Sequence, residues 1–199
     1  MHQGKFEMTD GSVYEGLFKN NKFHGIGKFT TTRETIIEGY FENGKGPQKG
    51  TIRYPNGLVF EGLLEDNEIG PKGKMKYLSG EKYDGFLDNG MRHGFGILTD
   101  TKGNKYEGRW NTDRKDGQGK EYVSKDNEYY EGNFNLGKRD GFGRCVNNYG
   151  EVYSGIWRAS ERIDTARFHE KVPVARFYKL VEYFLKDKKG AQVEVKIYK

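Results

Sequence analysis

The groups from which a catalytic or metal site is usually built are sparse in this chain and badly placed for it. The histidines are His2, His24, His93 and His169, and the single cysteine is Cys145. His24 and His93 each precede a Gly-x-Gly triplet, Gly25-Ile26-Gly27 and Gly94-Phe95-Gly96, so they fill one recurring turn position rather than a reaction centre. A metal site needs ligands converging at short spacing, and scattered histidines with one cysteine do not supply it. The Gly-x-Gly triplets lack both the Gly-x-x-x-x-Gly-Lys-Ser/Thr pattern and the strand-to-helix context of a phosphate loop. Asp and Glu abound, but no pair stands out from its background. The expectation is a non-enzyme with no catalytic residue, no metal and no cofactor.

Three other sets of side chains carry binding chemistry. The first is aromatic and runs through Tyr14, Phe18, Phe41, Phe60, Tyr83, Tyr106, Trp110, Tyr130, Phe134, Tyr153 and Trp157. Tyr and Trp bury much area at little entropic cost, and Tyr83, Tyr106, Trp110, Tyr130, Phe134 and Trp157 are the candidate partner anchors. The second set is basic: Lys22, Lys45, Arg92, Arg114, Lys115, Lys138 and Arg139, broken by Glu68. Such a row suits anionic lipid headgroups or an acidic segment, although Asp113, Asp116 and Asp140 are interspersed. The third is apolar, with Leu17, Tyr40, Leu63 and Phe86 as its candidates beside Val13, Ile36 and Val59. Lys105, Arg109 and Asn133 take these positions later in the chain. An apolar patch confined to one half marks an interaction site.

A repeat positions all three sets. Tyr14-Glu15-Gly16, Ile37-Glu38-Gly39, Phe60-Glu61-Gly62, Tyr83-Asp84-Gly85, Tyr106-Glu107-Gly108, Tyr130-Glu131-Gly132 and Tyr153-Ser154-Gly155 recur at steps of 23 residues, with one step of 24. A short period held this strictly points to a stacked array in which each unit leans on its neighbours. Within a unit, Tyr83, Gly85 and Leu87 alternate with Asp84, Phe86 and Asp88, as in a strand. Asn89-Gly90 turns the chain, and Gly94 to Leu98 supply a second strand. Each repeat is thus a β-hairpin, and successive hairpins should continue as an antiparallel meander. Glycine weakens a strand unless another group must approach the backbone closely, so the rings are expected to lie over the glycines. Repeats two and three put Gln48 and Pro71 where the first glycine of the triplet belongs, which predicts a local irregularity. Gly4-Lys5-Phe6 reads as the second half of a further repeat.

Composition agrees with an array. Only 34% of the 199 residues are hydrophobic, while 15% are aromatic and 29 are glycine, so the interior must be rings laid over glycine backbone. The charge of +5, from 34 basic and 29 acidic residues, permits an acidic partner without requiring one. Nucleic acid is a poor candidate, because Glu15, Glu38, Glu61, Asp84, Glu107 and Glu131 form a repeating acidic row. No apolar run approaches the roughly 20 residues that span a bilayer, and the start does not read as a signal peptide. One cysteine fits a reducing compartment. The expectation is a soluble, cytoplasmic chain.

The unit Tyr106-Glu107-Gly108-Arg109-Trp110 with Asp116-Gly117-Gln118-Gly119, and Tyr130-Glu131-Gly132-Asn133-Phe134 with Asp140-Gly141-Phe142-Gly143, resembles the MORN repeat (membrane occupation and recognition nexus). The resemblance covers residues 4–158 and implies an elongated, non-enzymatic hairpin array. Such arrays occur in ciliary, cytoskeletal and membrane-junction scaffolds and beside enzyme domains, with phospholipids, peptides and helices as proposed ligands.

The expected architecture is an all-β, elongated single-layer antiparallel sheet of about seven hairpin repeats over residues 1–158. A C-terminal part, 159–199, follows the array. Pro173 opens a helix over about 173–188, with Val174, Phe177, Leu180, Val181, Phe184 and Leu185 at helical spacing. Val193, Val195 and Ile197 alternate as a strand over about 192–198. Helix and strand are expected to cap the array. The expected function is a scaffold or adaptor holding a partner's helix or extended segment along the aromatic face, in a cytoskeletal or ciliary setting. The alternatives are peripheral attachment to anionic membranes through the basic row, and the targeting module of a larger enzyme.

Overall fold

The computed structural model describes residues 1–163, 170–171 and 173–185. The chain forms two compact units, Met1–Leu98 and Thr99–Lys199. In the first, strands follow chain order, each antiparallel to the next: β1 (His2–Glu7), β2 (Val13–Lys19), β3 (Lys22–Thr30), β4 (Ile36–Phe41), β5 (Lys49–Arg53), β6 (Val59–Glu65), β7 (Glu68–Lys76), β8 (Lys82–Asp88) and β9 (Met91–Thr99). The second is built alike from β10 (Lys105–Asn111), β11 (Arg114–Val123), β12 (Glu128–Asn135), β13 (Lys138–Val146) and β14 (Glu151–Arg158). β15 (Glu161–Arg162) and β16 (Glu170–Lys171) both pair with β14, and helix α1 (Val174–Leu185) follows.

The hairpin tips explain the regular register. Asn20-Asn21, Asp66-Asn67, Asn89-Gly90, Thr112-Asp113, Leu136-Gly137 and Ala159-Ser160 all hold both central residues at positive φ. That is the two-residue type I′ turn, whose twist matches that of the strands it joins. It is imposed even on β-branched Thr112, so the sheet rather than local preference sets the turn.

One glycine from each strand falls into a common row. Gly4, Gly16, Gly27, Gly39, Gly50, Gly62, Gly73 and Gly85 align across β1–β8, and Gly108, Gly119, Gly132, Gly143 and Gly155 across β10–β14. The leading ring of a repeat lies over the pair that its hairpin brings together. A Cβ built on Gly119 would meet the Tyr106 hydroxyl at 2.5 Å and the ring at 2.6 Å, and Tyr14, Phe60, Tyr83 and Tyr130 repeat this geometry.

The hydroxyls bond locally. Tyr14, Tyr83, Tyr106 and Tyr130 donate to the carbonyls of Leu17, Phe86, Arg109 and Asn133 at 2.7–3.0 Å. In β2, β10 and β12 that carbonyl belongs to the residue where the register shifts, so the ring pins the bulge.

Repeat two is irregular, as its sequence predicts. Ile37 has no ring to lay on the glycines, and Pro47 approaches Gly39 instead, its Cβ 2.6 Å from where a glycine Cβ would be. In repeat three Phe60 covers Gly62 and Gly73 without a hydroxyl to donate.

A C-terminal part follows the array. β15 and β16 line the outer edge of β14, whereas α1 lies on the sheet face. The strand expected over about 192–198 lies outside the described residues.

Replacing Gly119 by Val would force the Tyr106 ring off its glycine pair. The expected cost is about 2–4 kcal/mol in urea unfolding. An unchanged unfolding midpoint would contradict the ring-over-glycine packing.

Candidate functional site

Rings and glycines share one side of the sheet, and the rings are interior. Tyr83, Tyr106, Trp110, Tyr130, Phe134 and Trp157, the candidate anchors, are each at most 5% exposed. In the second unit Trp110, Tyr106, Phe134, Tyr130, Trp157 and Tyr153 form a chain of edge-to-face pairs with centroids 5.0–5.8 Å apart, the arrangement the ring quadrupole favours.

A further residue covers the rings of Tyr14, Tyr106, Tyr130 and Tyr153. In the first unit Phe23 stacks on Tyr14 at 4.0 Å. In the second, the equivalent positions are cations: Lys115 lies 5.0 Å from Tyr106, Arg139 4.5 Å from Tyr130 and Arg162 4.5 Å from Tyr153. The expectation of an open aromatic groove is therefore not met at these six residues. A partner reaches them only by displacing their cover.

The cations are balanced by an acid that sequence reasoning overlooked. Glu121 is paired in register with Tyr106 and Tyr130, where the first unit has Phe29, Ile52 and Met75. It forms ion pairs with Lys115 and, at 2.9 Å, with Arg139, which also binds Glu128. Burial pushes the Glu121 carboxyl up, but Lys115 and Arg139 outweigh it and hold the group below the usual carboxylate value. Burial pushes the Tyr130 hydroxyl up to about 12 and raises the buried Cys145 thiol. The clue in the sequence was an acid fifteen residues after the leading tyrosine, where other repeats are apolar.

This splits the basic row. Lys115 is half-buried and Arg139 only 8% exposed, both committed to the ring side. Arg92 is half-buried, and Lys22, Lys45, Arg114 and Lys138 stay exposed.

The opposite side carries the apolar candidates. Tyr40, Leu63 and Phe86 are 56%, 44% and 46% exposed, and Leu17 is half-buried. Ile26 and Phe95, which sequence reasoning missed, extend the row. Both are the middle residue of a Gly-x-Gly triplet, and that position is the signal. Register places Ile26 beside Tyr40, Lys49 beside Leu63 and Lys72 beside Phe86. The adjacent row is charged and internally paired: Glu15 bridges Lys5 and Lys28 at 3.2 and 3.4 Å, and Arg53 meets Glu38 at 3.2 Å. Hydrogen bonds from Lys5 and Lys28 hold the Glu15 carboxyl below its ordinary value. In the second unit the apolar positions become Arg109, Gln118 and Asn133, with Phe142 and Ile156 exposed beyond them.

α1 occupies this opposite side in the second unit. Val181 and Phe184 pack with Tyr122, Tyr129, Val146 and Val152 in one buried cluster. Lys105 donates its ammonium to the Phe184 carbonyl, where a cation suits the negative end of a helix. Among the described residues no cluster of His, Cys, Asp or Glu could hold a metal, and no helix is long and apolar enough to cross a membrane.

The family model for the MORN repeat matches residues 14–32, 83–105, 106–126 and 130–147. The chain carries MORN repeats. The unmatched repeats are those led by Ile37, Phe60 and Tyr153, of which the first two lack a leading tyrosine. No curated protein sequence matches the chain. Similar solved structures include the SAS-4 (dCPAP) TCP domain of Drosophila melanogaster in complex with a proline-rich motif of Ana2. That match has 13% identity, 77% of each chain covered and a TM-score of 0.44. Another is the TCP10 domain of Danio rerio CPAP in complex with a peptide of Danio rerio STIL, with 16% identity, 78% and 84% covered and a TM-score of 0.33. Likeness at this level assigns no partner to the MORN array described here.

The folded Glu121 carboxyl titrates below its unfolded value of about 4.3, so its contribution to stability is complete above that value and lost as pH falls through the folded one. Glu121→Gln should lower stability at pH 7 and flatten the loss on acidification, measured by urea unfolding between neutral and acid pH. Parallel curves for wild type and variant would contradict the pairing.

Proposed function

We propose that this protein is a non-catalytic scaffold that holds a segment of a partner protein against the first unit. The observation that carries the reading is the exposed row of Ile26, Tyr40, Leu63, Phe86 and Phe95. Large apolar side chains aligned at one level of the sheet, interrupted only by Lys49 and Lys72 and left open to water, make a patch of the kind that marks a docking surface. The buried rings act as the core that keeps this row straight. Their side remains a surface for a partner only at its covering residues. The cellular setting we propose is a cytoskeletal assembly in the cytoplasm, on the family resemblance.

Peripheral attachment to anionic lipid is the second reading, favoured by the exposed Lys22, Lys45, Arg114 and Lys138. It predicts loss of binding as salt rises, since exposed charges are screened within about 10 Å at 0.1 M.

The test is retention of partners from cell extract at moderate salt by wild type and by Leu63→Ser/Phe86→Ser. Both residues are exposed, so the variant should melt within about 1 kcal/mol of wild type and lose the retained protein. Retention unchanged in the variant, or of lipid alone that salt removes, would defeat the scaffold reading.

A further inference from the structure

We propose that the exposed row of the first unit docks an amphipathic helix with acidic flanks, laid across the strands. The inference rests on the scaffold reading and names the chemistry of the partner. Six strands of this unit contribute Leu17, Ile26, Tyr40, Leu63, Phe86 and Phe95, and β5 and β7 contribute Lys49 and Lys72 at the same level. The row contains two bases and no acid.

Neither lysine is ion-paired among the described residues, and Lys72 lies 4.9 Å from the Phe86 ring centroid. Of the neighbouring carboxylates, Glu15 is ion-paired with Lys5 and Lys28 and Glu38 with Arg53, while Glu61 and Asp84 share Lys74 across the ladder. Within the row itself Lys49 and Lys72 are the only charges, and they ask for acid.

Spacing selects a helix. Strands lie about 4.8 Å apart and a helix advances about 5.4 Å per turn, so a helix perpendicular to the strands presents about one turn to each. An extended segment advances about 6.6–6.8 Å between residues of one face and falls out of step within a few strands.

The protein itself shows the arrangement. β16 pairs with β14, and Phe184 near the end of α1 reaches Lys105 on β10, so α1 runs back across the sheet. Its 12 residues span about 18 Å, against about 19 Å for the four strand spacings from β10 to β14. The row it covers lies on the same side of the sheet but beyond the charged row of Glu107, Lys120 and Glu131; its counterpart in the first unit mixes Val13, Ile36 and Val59 with Arg53, Lys76 and Lys82.

Other occupants fit less well. A bilayer laid on the row would also desolvate Glu61 and Asp84, which share the single Lys74, at several kcal/mol for an unpaired ion. A helix about 10 Å wide covers the row alone. The α1 of a second copy exposes Arg176 and Lys179, which would oppose Lys49 and Lys72.

The test is selection of a displayed library of amphipathic helices, with randomised flanking positions, on the whole protein and on folded Lys49→Glu/Lys72→Glu. Wild type should select Asp and Glu at the flanks and the charge-reversed variant Lys and Arg. A synthetic helix selected on wild type should lose roughly tenfold in affinity for the reversed variant. It should also fail to bind Leu63→Ser/Phe86→Ser. Flanks without charge preference, or a preference that the reversal leaves unchanged, would overturn the inference. If the serine variant still loses its extract partner in that case, the scaffold reading survives and only the acidic helix is refuted. If the serine variant keeps that partner, the scaffold reading falls too. Sedimentation with phosphatidylserine vesicles that both variants abolish would reassign the row to a membrane and overturn the proposal.

Discussion

A tyrosine ring can lie flat on a sheet only where two neighbouring strands both lack a side chain. That requirement organises this protein. It puts a glycine in each of β1–β14, aligns those glycines into rows, and spaces the leading rings by one hairpin. Because the ring fills the place of the missing side chains, a single sheet obtains an interior without a second layer. The hydroxyl then fixes the bulge beside it by donating to a backbone carbonyl. Side chains past the bulge are thereby assigned to one side or the other, and the docking row inherits its alignment from a contact on the opposite side.

The covering of the ring has two solutions. Phe23 over Tyr14 is an apolar solution. Lys115 and Arg139 over Tyr106 and Tyr130 are a polar one, and there Glu121 stands between those tyrosines in place of Phe29, Ile52 or Met75 to balance the two cations. A buried charge without a partner is costly, so base and acid must be exchanged together. The same division runs through the opposite side, where the first unit leaves an apolar row open and the second carries its own helix.

Much of this was legible in the sequence because the period exposes it. The glycine row, the hairpins, the type I′ tip at Asn89-Gly90 and the irregularity at Gln48 all follow from aligning the repeats. The apolar set of Leu17, Tyr40, Leu63 and Phe86 also follows, since period-two alternation separates it from the rings. What alignment alone missed depends on contact across strands. Ile26 and Phe95 join the row only once β3 and β9 are set beside their partners. The covering of Tyr106 and Tyr130 depends on a cation that lies in the next strand. The position of α1 was hidden for another reason: helical periodicity states which residues are apolar and not which surface receives them. Only Tyr122, Tyr129 and Val146 in contact with Phe184 identify the face instead of the end.

The account makes the side of the sheet the functional variable, and adjacent residues test it because they point to opposite sides. A photoreactive phenylalanine analogue at Tyr40 or at Phe41, in folded protein expressed in cells, reads that variable directly. Position 40 should crosslink a partner protein and position 41 should crosslink only within the chain. A partner captured from position 41 but not from 40 would place the docking surface on the ring side and contradict the account.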